Sequence, residues 1–367
     1  MAGTRYQNRN IRSQRTLIIL WAAVLIVSTL AIPTILVKRV KVDLTAPPPI
    51  YELPITTQPN EPSVNIPVYL SQQQKVVEVP LELYVRGVVA AEMPADFELE
   101  ALKAQAIAAR TYMVRKIVEQ DITSAPDPRA WVTDTVADQA YVTEEELKSR
   151  WSTREFAVNI SKINRAVAET RGQIIAYDGQ PIDATYFSTS NGYTENSEEY
   201  WSESVPYLRS VASPWDAEIS PKYTAVTRFS VKDVMKRLGL QAVPATSSTG
   251  SMLGLAIAEK TSGNRIKTIK INGSSFSGRE VREKLGLPSS QFTWTMKGDS
   301  IEFTTYGYGH GVGMSQYGAH GMALQGSTAQ EILTYYYQDV QIIPMQELAG
   351  WREFATPAAG LPTARIS

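Results

Sequence analysis

Cysteine is absent from the 367 residues, and histidine occurs only twice, at positions 310 and 320. The missing thiols exclude a disulfide scaffold, a cysteine nucleophile and every cysteine-ligated metal site. The gap between the two histidines matches no standard metal-ligand spacing, so a metal site built from them is disfavoured. The sequence also has no G-x-S-x-G motif, which disfavours a serine hydrolase. We therefore predict neither a metal nor another cofactor.

Acidic residues are missing from positions 1–42, which hold seven of the 36 lysines and arginines. The other 29 basic residues are outnumbered by 37 acidic ones, so the rest of the chain is acidic. Binding to a nucleic-acid backbone requires clustered positive charge. We therefore expect no nucleic-acid partner.

Charged residues of either sign are also missing from residues 16–37. About 20 apolar residues suffice to cross a bilayer as a helix, so this run predicts a transmembrane anchor. A cleaved signal peptide is the alternative, because residues 29–31 imitate a cleavage site, but the apolar run continues past them. Residues 1–15 form a short basic N-terminus that is easily retained in the cytoplasm, so we place them there. The chain that follows the anchor is then placed on the outer side of the membrane.

Proline is concentrated after this span, with seven prolines between Asp43 and Pro67. Proline favours extended, unpacked backbone, so residues 38–67 are predicted to be a linker that holds the following body away from the membrane. The body is predicted to cover residues 68–347. The prolines and alanines of residues 348–367 are typical of a flexible tail.

The first part of the body is predicted to be helical. After a short strand at 75–79, Pro80 suits the first turn of a helix that runs to Glu92, and Pro94 ends it. Asp96 is predicted to cap a second helix at 98–119, and residues 142–170 are interpreted as more helix.

From Gln173 onward, short β-like runs replace the helical pattern. They are QIIAY, IDATYFST, YTAVTRFS, KTIKIN and SIEFTTYG, and one helix at 231–240 interrupts them. Helices and strands are segregated along the chain, which favours an α+β body over a doubly wound sheet.

Glu92 is the carboxylate with the most telling position. The negative end of a helix and the small apolar neighbours at 90, 91 and 93 both act to raise the pKa of a carboxyl group there, as a general acid requires. A surface glutamate at a helix end is the alternative. Position alone does not decide between the two.

Three blocks of this sequence, in this order, closely resemble the stage II sporulation protein D family (SpoIID/LytB-type). The blocks are residues 91–94 with 100–112, residues 187–192, and residues 309–318. The resemblance covers residues 76–343. It implies a lytic transglycosylase that cleaves peptidoglycan glycan strands, stripped of their stem peptides, to 1,6-anhydro-muramic ends during forespore engulfment.

Site residues are carried over from the same resemblance. The catalytic glutamate of the family falls on Glu92, which is expected to protonate the glycosidic oxygen and then take the proton of the 6-hydroxyl as the ring closes. The other residues in the matching blocks are expected to lie in a substrate groove, where they position the sugar or stabilise developing charge. They are Arg110, ranked first, and Lys103, Ser188, Ser190, Asn191, His310, Ser315 and Gln316.

The resemblance also implies location and partners. The body would face the space at the septal or engulfing membrane of the mother cell, with the sporulation amidase (protein P) and the polytopic membrane protein (protein M) as partners. Some family members hold zinc with cysteine and histidine, but residues 134–141 offer neither, so no zinc is predicted here. Two alternatives stay open: a hydrolysing muramidase, and a non-catalytic glycan-binding scaffold that recruits or activates the amidase.

Overall fold

The computed structural model describes residues 64–121, 125–240, 253–349 and 351, all within one compact unit. The predicted cytoplasmic end at 1–15 and the anchor at 16–37 lie outside these residues, as do most of the predicted linker and tail. Across the described ranges, no helix combines the length and apolar character needed to cross a membrane.

Helices and strands in the described residues are numbered in chain order. The helices are α1 Leu81–Glu92, α2 Leu99–Glu119, α3 Glu144–Arg150, α4 Thr153–Glu169, α5 Ser197–Tyr200, α6 Asp216–Ile219, α7 Val231–Leu238, α8 Gly278–Leu285, α9 Gln316–Leu324 and α10 Ala329–Tyr336. The strands are β1 Asn65–Leu70, β2 Lys75–Pro80, β3 Val132–Thr133, β4 Gln173–Tyr177, β5 Gln180–Pro181, β6 Tyr186–Phe187, β7 Gly192–Tyr193, β8 Ala212–Ser213, β9 Thr224–Ser230, β10 Leu255–Lys260, β11 Ile266–Ile271, β12 Ser274–Ser277, β13 Phe292–Lys297, β14 Ser300–Tyr306, β15 Met314–Ser315 and β16 Gln341–Pro344.

The first two predicted helices are confirmed as α1 and α2, with one correction at the start of α2. The residue that precedes its first turn is Glu98, not Asp96. The N–H of Phe97 donates to the carbonyl of Pro94 at 3.1 Å, so Asp96 lies inside a turn before the helix begins. No side chain caps α2; instead the N–H of Glu98 donates to Nδ1 of His320 at 3.0 Å.

The helical stretch at 142–170 is two helices, α3 and α4, separated at Trp151 and Ser152. Ser152 forms a capping box with Glu155, and Thr143 forms another with Glu146. Each box satisfies backbone N–H groups that a continuous helix would bond internally. The chain therefore turns at Trp151, which places this side chain at the edge of α3.

The strands of the described residues form six small sheets of two or three strands, so the predicted α+β class is confirmed. Strands β4, β9, β11 and β14 correspond to four of the predicted runs. The run at 182–189 is the exception, because only Tyr186 and Phe187 are in a strand, paired in parallel with Met314 and Ser315. Most of this run packs against the glycine-rich segment 307–313 instead of a long strand.

The largest apolar core surrounds α2, which packs against α1, α4, α9, α10 and β4. Its alanines at 101, 104, 106, 108 and 109 are fully buried, and their small side chains let neighbouring backbones come close. A second core lies among α7, α8 and the strands from β9 to β14. The end of α1, with Glu92, lies at the edge of the first core.

Candidate active site

Glu92 is the last residue of α1 and is half-buried. Met93 follows in an extended conformation, with φ −117° and ψ 141°, because a residue before proline is pushed out of the helical region. The proline at 94 therefore ends the helix directly after the carboxylate. The side chain of Glu92 is presented at a helix end, as the sequence predicted.

Two donors contact the Glu92 carboxylate. The backbone N–H of Ala140 donates to Oε1 at 3.0 Å, and the side-chain amide of Gln316 forms the second contact. Burial raises the pKa of Glu92, and these two hydrogen bonds lower it by less, so the pKa stays above its ordinary value. A carboxyl group with a raised pKa keeps its proton nearer to neutral pH, which suits a general acid.

Gln316 reaches Glu92 because β15 ends where α9 begins. Ser315 caps α9 by accepting a hydrogen bond from the N–H of Gly318, which leaves Gln316 as the first helical residue. The Nε2 atom of Gln316 lies 3.4 Å from Oε1 of Gln105 on α2, and both side chains are buried. Residues far apart in sequence therefore meet at one carboxylate.

Two tyrosines lie behind Glu92. Burial is the main cause that raises the pKa of Tyr186 and of Tyr84, and the negative charge of Glu92 adds to both shifts. The Tyr84 hydroxyl donates to Oε1 of Gln139 at 3.4 Å, whereas the buried Tyr186 hydroxyl has no hydrogen-bond partner in the described part of the chain. Both hydroxyls keep their protons at physiological pH, so they add no charge beside the carboxylate.

Glu92 lines a pocket of about 430 Å³ on the protein surface. Trp151 offers an aromatic surface there, and Arg150 and Lys222 are exposed bases. The Lys222 ammonium also lies 5.1 Å from the ring centre of Tyr308. An aromatic side chain, two bases and a carboxyl group with a raised pKa are suited to a sugar that carries negative charge.

Lys103 and Arg110, predicted to support the site, both form ion pairs with other residues. The Arg110 guanidinium is fully buried and pairs with both carboxylate oxygens of Glu82, at 2.9 and 2.6 Å. The Lys103 ammonium lies 2.7 Å from Glu100 and 2.5 Å from Glu169. Glu82 stands near the start of α1 and Glu92 at its end, so Arg110 is on the order of 15 Å from the catalytic candidate. A role for either base in sugar binding stays a prediction, and the contacts of Arg110 are those of a residue that fixes α1 to α2.

Ser190 and Ser315 meet at a residue that the sequence did not single out, Asp216. The Ser315 hydroxyl donates to Oδ1 at 2.5 Å, and the N–H and hydroxyl of Ser190 donate to Oδ1 and Oδ2 at 2.8 and 2.9 Å. The Ser213 hydroxyl adds a further bond at 2.8 Å. All four side chains are buried, so these serines hold the chain segments that carry Gln316 together.

Asn191 and Ser188 also bind other protein segments. The Asn191 amide donates to the carbonyl of Gly263 at 2.8 Å and to the side chain of Gln291. The Ser188 carbonyl accepts the N–H of Tyr317 at 3.1 Å, which fixes the start of α9. These contacts connect the polar turn at 187–192 to the second core and to the helix that supplies Gln316.

His310 lies next to Tyr186 and is neutral. Its Nε2 donates to the carbonyl of Tyr186 at 3.0 Å, and Nδ1 accepts the N–H of Val312 at 3.1 Å. Burial lowers the pKa of His310 to about 4, so the ring is uncharged at neutral pH. His320 instead stacks on Phe97 at a ring distance of 4.3 Å. In the described ranges, no group of three or more histidine, aspartate or glutamate side chains comes together to hold a metal.

Glycines in the segment 307–313 let its backbone touch the strand region 185–191. Gly313 has φ +80°, and a Cβ there would lie 2.1 Å from the carbonyl oxygen of Thr185. A Cβ at Gly307, with φ +79°, would lie 2.9 Å from the carbonyl oxygen of Thr189. This glycine-rich segment therefore packs against another part of the protein.

Sequence reasoning missed Ala140, Gln105, Tyr186 and Asp216 as parts of this region. Ala140 and Tyr186 contribute a backbone group and a buried hydroxyl, for which no local pattern exists. Gln105 had a signal, because it is a polar residue within the alanine-rich face of α2. Asp216 had a weaker signal in the turn-forming sequence Ser213-Pro-Trp-Asp216.

An α+β body with a partly buried carboxyl group at a helix end, which lines a surface pocket, defines a protein with a candidate general acid. The family model for the SpoIID stage II sporulation protein matches residues 69–177. The stage II sporulation protein D of Bacillus subtilis (strain 168) is 50% identical over 279 residues, which cover 76% of this chain and 79% of that protein. The protein of the same name from Bacillus amyloliquefaciens is 48% identical over 282 residues, 77% of this chain and 79% of that one. The chain therefore belongs to the stage II sporulation protein D family.

The chain is also similar to the Bacillus subtilis (strain 168) protein called amidase enhancer. It is 31% identical over 300 residues, which cover 69% of this chain and 39% of that longer protein.

Proposed function

We propose that this protein is a lytic transglycosylase that cleaves peptidoglycan glycan strands during forespore engulfment in sporulation. The proposal rests on one observation: the Glu92 carboxyl group has a raised pKa and lines a surface pocket. Membership of the stage II sporulation protein D family supports the sporulation context.

The proposed reaction needs only one carboxyl group. Glu92 gives its proton to the glycosidic oxygen as the bond from this oxygen to C1 of muramic acid breaks. The 6-hydroxyl oxygen then bonds to C1 and returns a proton to Glu92, so no water is consumed and a 1,6-anhydro end forms. The Ala140 N–H and Gln316 hold the carboxylate in place between the two proton transfers.

The product ends test this reaction directly. Denuded glycan strands incubated with the full-length chain should yield fragments that end in anhydro-muramic acid, detected by mass spectrometry as ends that lack one water. Fragments with reducing ends would instead show hydrolysis, and uncut strands that remain bound would show a scaffold.

A hydrolysing muramidase is the second candidate, favoured by Asp96. Its carboxylate is exposed and lines the same pocket as Glu92, and hydrolysis commonly uses two carboxyl groups. The scaffold alternative is favoured by the name of one relative, the amidase enhancer. Products with added water that disappear on Asp96→Asn substitution would select the hydrolase.

The two bases in the pocket should bind the lactyl carboxylate that is freed when a stem peptide is removed. Replacing both Arg150 and Lys222 by glutamine should raise KM for denuded strands by about 5- to 30-fold and leave kcat nearly unchanged, since each exposed charge contact contributes up to about 1 kcal/mol. Steady-state kinetics would measure this. The matched control replaces Lys236 and Lys260, which are exposed outside the pocket, and an equal KM effect there would contradict the prediction.

The location and partners complete the proposal. An anchor at 16–37 would place a body of residues 68–347 outside the membrane, at the septal or engulfing membrane of the mother cell. The sporulation amidase (protein P) and the polytopic membrane protein (protein M) are the proposed partners, and the amidase would supply strands free of stem peptides. Co-purification from sporulating cells, with and without residues 1–37, tests both points.

A further inference from the structure

The N–H that contacts Glu92 belongs to a loop, residues 134–141, that lies against α2. Ala140 donates from the end of this loop, and Asp138 lies two residues before it. Oδ2 of Asp138 accepts hydrogen bonds from the N–H of Thr133 at 2.8 Å and from its hydroxyl at 3.0 Å. The side chain of Asp138 is therefore bonded to the residue that directly precedes the loop. The position of the Ala140 N–H therefore depends on where Asp138 is held.

Asp138 is held by a buried ion pair with α2. Its Oδ1 lies 2.9 Å from the Lys116 ammonium, and the Tyr112 hydroxyl donates to the same oxygen at 3.1 Å. The side chain of Asp138 is 1% exposed and that of Lys116 is 10% exposed. Burial acts to raise the pKa of Asp138, but the Thr133 N–H and the Lys116 ammonium outweigh it and the pKa is lowered, so the pair is ionised.

We propose that Lys116 and Asp138 are positioning residues, which hold the loop at 134–141 so that the Ala140 N–H contacts the Glu92 carboxylate. This inference rests on the proposed function, because it assigns the pair a role in the reaction of Glu92. A change of about 1 Å in a positioning group can cost two orders of magnitude in rate. The other donor, Gln316, belongs to α9 and cannot replace the loop.

The proposal predicts a specific electrostatic consequence. The Ala140 hydrogen bond lowers the pKa of Glu92 against the effect of burial, so a displaced loop should raise that pKa further. The charged and titratable groups that face Glu92 or share its pocket come from several elements: Tyr84 of α1, Asp96 of the turn before α2, Arg150 of α3, Tyr186 of β6 and Lys222. Asp138→Asn removes a negative charge and Lys116→Met removes a positive one, so a direct charge effect on the pKa of Glu92 would have opposite signs in these two variants.

The experiment compares four variants of the full-length chain. Asp138→Asn and Lys116→Met each remove the ion pair, Lys116→Arg keeps it, and Glu195→Gln removes a different buried pair, in which Glu195 lies 3.0 Å from Arg265. The pKa of Glu92 is read by carbon-13 NMR of labelled glutamate carboxyl groups, assigned with Glu92→Gln. This titration needs no cleavage activity, so it tests the proposal even if the proposed function fails.

We expect the titration of Glu92 to move to higher pH in Asp138→Asn and in Lys116→Met, and to stay in place in Lys116→Arg and Glu195→Gln. Cleavage by the first two should fall by roughly 10- to 100-fold, and the decline of activity at high pH should move upward. An unchanged Glu92 titration would overturn the proposal, as would an equal shift in Glu195→Gln. If Asp138→Asn does not fold, Lys116→Met decides the question.

Discussion

Replacing Glu92 by glutamine should reduce strand cleavage by about 100- to 10,000-fold, because a general acid contributes that much and glutamine cannot donate the proton. Glutamine has nearly the same shape, and its amide oxygen can still accept the Ala140 N–H. Mass spectrometry of denuded strands, with wild type beside Glu92→Gln, would measure the loss. Retained cleavage by the variant would refute the mechanism.

The stability of Glu92→Gln separates lost chemistry from lost folding. The folded-state pKa of Glu92 is raised, mainly by burial, so the ionised carboxylate costs stability above the pKa of the unfolded chain. The neutral amide removes this cost. At neutral pH the variant should therefore unfold at the same temperature as the wild type or higher, as measured by circular dichroism.

The same pKa shift sets the pH profile of the wild type. Cleavage needs protonated Glu92, so kcat/KM should fall as pH rises through the pKa, and the raised value moves this decline above the range of an ordinary glutamate. Asp96→Asn serves as a control, because its exposed carboxylate has no assigned role in the transglycosylase reaction. If Asp96→Asn shifted the pH at which kcat/KM declines, the result would favour the hydrolase.

Replacing Asp216 by alanine should lower the free energy of unfolding by about 2–4 kcal/mol, the second large effect. The variant leaves the buried donors of Ser190, Ser213 and Ser315 without their shared acceptor. Thermal unfolding would show a lower Tm than wild type. Cleavage should fall as well, since Ser315 caps the helix that begins with Gln316.

Asp216→Asn is the matched control for this prediction. Its carbonyl oxygen keeps one acceptor, and serine hydroxyls can rotate to accept from the new amide. We therefore expect a clearly smaller loss of stability than in Asp216→Ala. An equal Tm for Asp216→Ala and wild type would show that the four side chains do not act as a stabilising cluster.

Local sequence was sufficient wherever one segment determines its own structure. Proline at 94 ends α1 after Glu92 by restricting the backbone of Met93, and alternating apolar residues produce β9 and β14. Chain order and the segregation of helices from strands indicated the α+β class. The helix break at Trp151 was not predicted, although both capping boxes are visible in the sequence.

Tertiary structure decided the surroundings of Glu92 and the contacts of the predicted supporting residues. The sequence by itself determined that a carboxylate ends a helix, because a proline rule acts over two residues. Only the fold brings the N–H of Ala140 and the amide of Gln316 to it, pairs Arg110 with Glu82, and gathers Ser190 and Ser315 around Asp216. These contacts join residues that are 26 to 224 positions apart in the sequence. Such pairs form because packing and buried hydrogen bonds must be satisfied across the whole chain.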